Sequence, residues 1–432
     1  MVAETVNKRK LVTVRHINAL TPIEGADAIE VATVEGWRVV VKKGEFNVGD
    51  HCVYFEIDSF LPDGNPAWQF LVDKSPRIFE GVKGHKLRTI KLRGQISQGF
   101  VMPLPAFPQV RAEWDRLCLE APHAGGGIRD VDFSDVLGIV KWEAALPACL
   151  AGQAQGLFPS FIRKTDQERV QNLRAQVFGY DDVIEPFDVT GMTTEAIVAM
   201  MARGLLLVED GAEGGKAFKV LKAQADRKAR YEVSLKVDGS SMTVFARARF
   251  VEPVMSEDGI QNPIETGVCS RNLQLKVSEE NSGNSFVKVA TESGLLTALE
   301  KLAEGGRDLA VQGELMGPGI QGNREELKTF QMFIFAIFDI RRGQYLSPSA
   351  RREVVKQLQA LGADVQHVPV LHCGATLDEL GIVDIPSALK FAEGPSIRHP
   401  VREGLVFTRI DGEFSLFSFK AINDLFLAKE KD

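Results

Sequence analysis

The sequence has no apolar run approaching the roughly 20 residues a membrane-crossing helix needs, and its first ten residues are polar, without an apolar signal core. Neither a helical membrane protein nor a secreted one is expected, and the cytoplasm is the expected location. Cysteine is scarce: Cys52, Cys118, Cys149, Cys269 and Cys373 are odd in number, scattered, and never in a Cys-x-x-Cys pair. They read as reduced thiols, which excludes a disulfide framework or a zinc site. Positive charge is in deficit too. The net charge of -7 argues against a protein that coats nucleic acid non-specifically. Local contact stays open, because Lys83, His85, Lys86, Arg88, Lys91 and Arg93 crowd one short segment. Such a run either protects an edge strand or meets phosphates, or the triphosphate tail of a nucleotide.

What is present is a soluble globular composition, 44% hydrophobic and 25% charged, over 432 residues, enough for two or three domains. Strands are expected at 11–17, 28–34, 38–42, 51–57 and 87–92, with turns at Glu35-Gly36 and Gly49-Asp50. Five short strands predict a small barrel, of the oligonucleotide-binding (OB) type first and SH3-like second. Trp37, Phe46, Tyr54 and Phe55 are either core or platforms for bases. Beyond Pro103, the residues Pro105, Pro108 and Gly125 to Gly127 break regular structure. The expected division is an OB-like domain over 1–105, a linker over 106–157 and a second domain over 158–432.

The second domain contains Tyr231 to Thr243, where Tyr231, Val233 and Leu235 alternate with Glu232, Ser234 and Lys236 before a turn at Gly239. Lys236 lies two residues before Asp238, so it is either a salt-bridge partner or a nucleophile. The strand is expected to form a hairpin with 242–249. Helices are expected at 193–201, 294–303 and 349–361, and strands at 309–315 and 330–340. Strands at 405–409 and 414–419 flank Asp411-Gly412, a strong hairpin signal. A two-residue turn there would set Glu403 opposite Lys420, on one face.

Lys236-Val237-Asp238-Gly239-Ser240, Ser270-Arg271-Asn272, Gln312-Gly313-Glu314-Leu315, Phe335 to Ile340, Arg402-Glu403-Gly404-Leu405-Val406 and Phe419-Lys420 follow one another in the chain. This order resembles the covalent nucleotidyltransferases: ATP-dependent DNA and RNA ligases and capping guanylyltransferases. The run Gly313 to Asn323, with Lys164-Thr165-Asp166 and Arg169 upstream, is similar to the Naegleria-type RNA ligases. The resemblance implies an α+β fold, with a five-stranded OB-like β-barrel before a nucleotidyltransferase domain of antiparallel sheets flanked by helices.

It also implies ATP and Mg²⁺ (or Mn²⁺) as cofactors, and as substrate RNA with 3′-hydroxyl and 5′-phosphate ends, in a nicked duplex. Lys236 would take AMP from ATP, and a 3′-hydroxyl would displace it from an RNA adenylate. Asp238 and Glu403 would hold the metal rather than pair with Lys236. Arg271 and Glu314 would bond the ribose, Phe338 would stack on adenine, Lys420 would stabilise the α-phosphate, and Arg169 and Lys164 would meet pyrophosphate. Ile422 stands where many relatives carry a second lysine. Within this chemistry a DNA ligase or capping enzyme is the alternative, though both usually add a further barrel after the last motif, which this chain is not expected to hold. An NAD-dependent ligase would need a nicotinamide-binding segment that is not recognisable. From another class, an inactive nucleic-acid-binding protein is opposed by Lys236, Asp238, Glu314 and Glu403 occurring together.

Overall fold

The computed structural model describes residues 10–120, 131–142, 152–179, 226–249, 263–412 and 416–429, with short pieces at 189, 193–194, 197–198, 206–210, 216–220, 254–256 and 259–261. The expected helix at 193–201 falls largely outside these, as do residues 121–130 and 143–151 of the expected linker. The chain forms two units. One comprises Met1–Ala145, Val170–Arg227 and Asp384–Pro386, the other Leu146–Arg169, Lys228–Val383 and Ser387–Asp432.

In the first unit a curled antiparallel sheet runs in the order Phe100–Pro103, His51–Phe55, Val12–Pro22, Ile29–Val34, Trp37–Lys42. Trp37, Val39 and Val41 alternate with less buried neighbours, whereas Val12–Arg15 and Cys52–Phe55 are buried throughout, with Val53 and Phe55 in one core cluster and Cys52 and Tyr54 in another. The Gln98 amide donates to the Arg38 carbonyl (2.7 Å), drawing the last strand back toward the first. Phe100–Pro103, not 87–92, is the fifth strand. Only Ile90–Leu92 of the latter is a strand, in a separate hairpin with Gln95–Ser97. Trp37, Phe46, Tyr54 and Phe55 are each at most 3% exposed, which makes them core and corrects their reading as base platforms. Part of the expected linker is core as well: Phe107, Val110, Phe133, Leu137 and Ile139 pack with Val12, Phe55 and Trp68. A 13-residue helix, Pro108–Glu120, begins at Pro108, a residue tolerated in the first turn of a helix.

The second unit holds two sheets. The larger includes, side by side, Ile264–Cys269, Ser240–Ala248, Leu309–Met316 and Gln331–Asp339. On one face, Met242, Val244, Val311, Leu315, Ile334 and Ile337 pack under the helices Ser285–Glu292, Leu295–Glu304 and Pro348–Ala360. Asn284 and Ser347 cap two of these helices through side-chain oxygens. The smaller sheet has the order Glu168–Arg169, Ser418–Ile422, Gly404–Arg409, Arg230–Lys236, Val370–Thr376. Glu232, 1% exposed, meets Arg351 and Arg352 of the Pro348–Ala360 helix and ties this sheet to the larger one.

Candidate active site

Lys236 closes the Arg230–Lys236 strand, in register with Gly404. The chain does not turn back into a hairpin. Val237-Asp238-Gly239 carries it across to the other sheet, where Ser240–Ala248 pairs with Leu309–Met316. Glycine makes this crossing possible, because a Cβ at position 239 would lie 2.4 Å from the Leu315 carbonyl oxygen and 2.8 Å from Glu314 Cγ. The corner thereby brings Lys236 of the smaller sheet up to Glu314 of the larger one.

Lys236 Nζ lies 2.6 Å from Glu403 Oε1, and the lysine is about a quarter exposed (27%). Burial pulls its pKa down, but Glu403, Glu314 and Asp238 outweigh burial and hold it above the ordinary value. The Lys236 ammonium is thus the direct partner of Glu403. Glu314 carries the opposite strain. Burial first, then Glu403 and Asp238, push its carboxyl up to about 7 against the pull of Lys236, while it accepts from the Gly239 amide.

The hairpin register is also corrected. Val406, not Glu403, lies opposite Lys420, and the Glu403 carbonyl accepts from the Asn423 amide. The shift of three residues arises because the strands end at Arg409 and resume at Ser418, so Asp411-Gly412 belongs to a longer loop. Lys420 Nζ instead lies 3.8 Å from Asp166 Oδ1, and Arg271 Nη2 lies 3.7 Å from Asp166 Oδ2. The short strand Glu168–Arg169 runs parallel to Ser418–Ile422 with Arg169 beside Lys420. Paired residues point to one face, so Arg169 and Lys420 share the face that carries Lys236. Ile422 is 4% exposed and lies opposite Gly404, in the row of Lys236. Lys164 donates to the Asn272 side chain (3.0 Å), next to Arg271.

Phe338 does not reach this cluster. It is 3% exposed, packed with Ile162, Phe245 and Ala310, and meets the Tyr345 ring edge-on at 5.2 Å. Phe338 shares the Glu314 face but lies opposite Ala310, four residues along the strand from Glu314; a bulge, where pairing jumps from Gln312↔Ala336 to Gly313↔Ile334 and leaves Phe335 over, resets the facing only nearer the site. Phe333, which sequence reading passed over, lies opposite Glu314 and shares its face. Only the bulge distinguishes it from its neighbours, and no residue pattern announced the bulge.

The donor set fits a divalent cation. Glu403 Oε2 is buried without a hydrogen-bond partner among the described residues. Glu403, Asp238 and Glu314 surround one ammonium, leaving acidic charge in excess. Among the described residues no group of three or more His, Cys, Asp or Glu is placed to hold a metal ion, so a Mg²⁺ held here would take most of its ligands from water.

An RNA ligase family model matches residues 229–422, and an OB-fold domain model matches residues 11–104. Among solved structures the chain is similar to the Naegleria gruberi RNA ligase. A mutant with AMP and Mn is 36% identical, covering 98% of this chain and 99% of that one at a TM-score of 0.68. The form with PPi is 36% identical at a TM-score of 0.69, covering 98% and 100%. A further mutant with ATP and Mn is 36% identical, covering 98% and 100% at a TM-score of 0.68. No curated protein matches the chain significantly.

Proposed function

Because the chain belongs to the ATP-dependent RNA ligases of the Naegleria gruberi type, we propose that Lys236 is its adenylylated nucleophile and that it seals 3′-hydroxyl to 5′-phosphate ends in nicked RNA duplexes in the cytoplasm. The observation that carries this reading is the corner at Gly239, which sets one amine between Glu403 on its own sheet and Glu314 on the other. An amine so placed is pre-positioned, which is most of what phosphoryl transfer asks of a protein.

In the first step the Lys236 nitrogen attacks the α-phosphorus of ATP, an N–P bond forms, and the bond to the bridging oxygen of pyrophosphate breaks. The nitrogen must be free of its proton to attack. Glu403, at 2.6 Å, holds the ammonium in place until that proton leaves. Asp238 and Glu403 would hold Mg²⁺ or Mn²⁺, which supplies positive charge against the α-phosphate and gives the two carboxylates a partner other than the ammonium. Lys420 and Arg169, side by side, meet charge developing on the phosphates, and Lys164 lies toward the pyrophosphate end. Arg271 and Glu314 hold the ribose, and the adenine lies against Phe333. AMP then passes to an RNA 5′-phosphate, and a 3′-hydroxyl displaces it as the strand closes.

The test is to incubate the protein with α-labelled ATP or GTP and Mg²⁺, denature it, and look for label on the chain, with Lys236→Ala as control. ATP label that vanishes in Lys236→Ala is expected, and its persistence would remove Lys236 from this role. A panel of nicked duplexes with RNA or DNA on each side of the nick then fixes the polynucleotide.

A further inference from the structure

Five lysines and arginines and one histidine crowd the segment from Lys83 to Arg93, and from Gly81 to Ala112 the chain carries no Asp or Glu, although its net charge is -7. Arg88 apart, the fold divides these residues in two. Lys83 pairs with Asp63 (3.2 Å) and Lys86 with Asp58 (3.4 Å). His85 bonds the Ser75 carbonyl (2.9 Å), and burial lowers its pKa, so it is neutral near pH 7. These three serve the sheet. Lys91 and Arg93 stand apart on the hairpin of Ile90–Leu92 and Gln95–Ser97, exposed, with no carboxylate at ion-pair distance among the described residues.

The hairpin turns through Arg93-Gly94, with φ of 49° and 79°. Both central residues are left-handed, as a two-residue turn requires, and Asn or Gly usually occupies the first position. A β-carbon is disfavoured there, because it crowds the following carbonyl oxygen. A long cation is thus kept at the tip against local preference, the kind of outlier that points to use. Ile90 and Leu92 are each 37% exposed, so this ribbon lies partly clear of the core and carries aliphatic surface between its charges.

We propose that this hairpin is an RNA contact, with Lys91 and Arg93 meeting backbone phosphates. The proposal rests on the chain being an RNA ligase: RNA is the polyanion it must hold, and charge complementarity selects it over an uncharged or basic partner. The contact fixes position and not sequence, since phosphates carry no base identity.

The test combines Lys91→Ala with Arg93→Gly. Glycine removes the charge yet suits the left-handed turn, so the fold is retained, and ATP-dependent labelling of the chain should match the unaltered protein. Binding of a fluorescent nicked RNA duplex is read by anisotropy from about 50 to 200 mM salt. The dissociation constant is expected to rise at least tenfold at low salt, and the slope of log affinity against log salt to fall by about 2, roughly 0.9 per phosphate contact. Lys91→Arg with Arg93→Lys should restore both. An unchanged slope would overturn the proposal, whatever happens to affinity. Binding is read without sealing, so an unaltered protein that binds the duplex but takes no label from ATP would count against the ligase reading of Lys236 and leave the hairpin result standing.

Discussion

At the level of single residues, Lys236 and Glu314 are both displaced from their ordinary titration, Lys236 by carboxylates and Glu314 by burial, and each can be tested by pH. Carboxylates hold the Lys236 ammonium above its ordinary pKa. Replacing its nearest partner, Glu403→Gln, is expected to move the pH midpoint for modification of Lys236 by an amine-selective reagent downward. Mass spectrometry of the Lys236 peptide reads this, and an unmoved midpoint would dismiss Glu403 as the restraining charge. Glu314 is raised from 4.5 to about 7, chiefly by burial. Its proton is therefore held more tightly folded than unfolded, so the associated stability is complete below about pH 4.5 and is lost as pH rises through 7. Glu314→Gln, uncharged throughout, is expected to add up to about 3 kcal/mol of stability above pH 7, read as a higher Tm, and to make no difference near pH 4.5. Lys236, Glu314 and Glu403 were legible because each sits in a short motif whose order is fixed. Phe338 was misread because alternation gives the face of a side chain and not its distance from the site: it shares the Glu314 face but lies opposite Ala310, four residues along the strand.

At the level of elements, the corner is the sensitive point. A methyl at position 239 would meet a backbone oxygen, and backbone cannot swing aside. Gly239→Ala is expected to cost about 1–3 kcal/mol and to lower adenylylation more than stability, since it pushes Lys236 away from Glu314. A urea midpoint shift without loss of labelling would show that the corner serves folding alone. The buried contact of Glu232 with Arg351 and Arg352 gives a second case. Glu232→Ala leaves two guanidinium groups facing an emptied pocket and is expected to destabilise by roughly 3–5 kcal/mol, read by denaturant unfolding. Helices Leu295–Glu304 and Pro348–Ala360 were predicted within a residue or two, because three apolar residues on one stripe and a terminal glycine leave little choice. The Asp411-Gly412 turn failed because a short turn signal says that the chain bends, not how long the strands on either side remain paired.

At the level of the whole molecule, the first unit is not a continuous stretch of sequence. Asn172, far along the chain from the sheet, accepts from Arg15 (2.9 Å) and Trp37 (3.3 Å) and donates to Glu56 (3.0 Å). Arg15, Glu56 and Asn172 are each no more than 5% exposed. Asn172→Leu leaves all three partners buried without their bond and is expected to cost about 2–4 kcal/mol, read by tryptophan fluorescence during unfolding. This closure was invisible in sequence, because a lone asparagine carries no long-range signal. The OB-like sheet was visible, because strand alternation and glycine turns are local.

The Asp166 carboxylate, between Lys420 and Arg271, has one further consequence. On the proposed reading Lys420 meets the α-phosphate, so a nucleotide entering the site would take Lys420 from Asp166, and a free anion such as sulfate must compete with that tethered carboxylate. Asp166→Asn should therefore make adenylylation more sensitive to inhibition by sulfate, and an unchanged inhibition curve would show that the seat is not reserved in this way. An enzyme so arranged discriminates among anions before any chemistry begins.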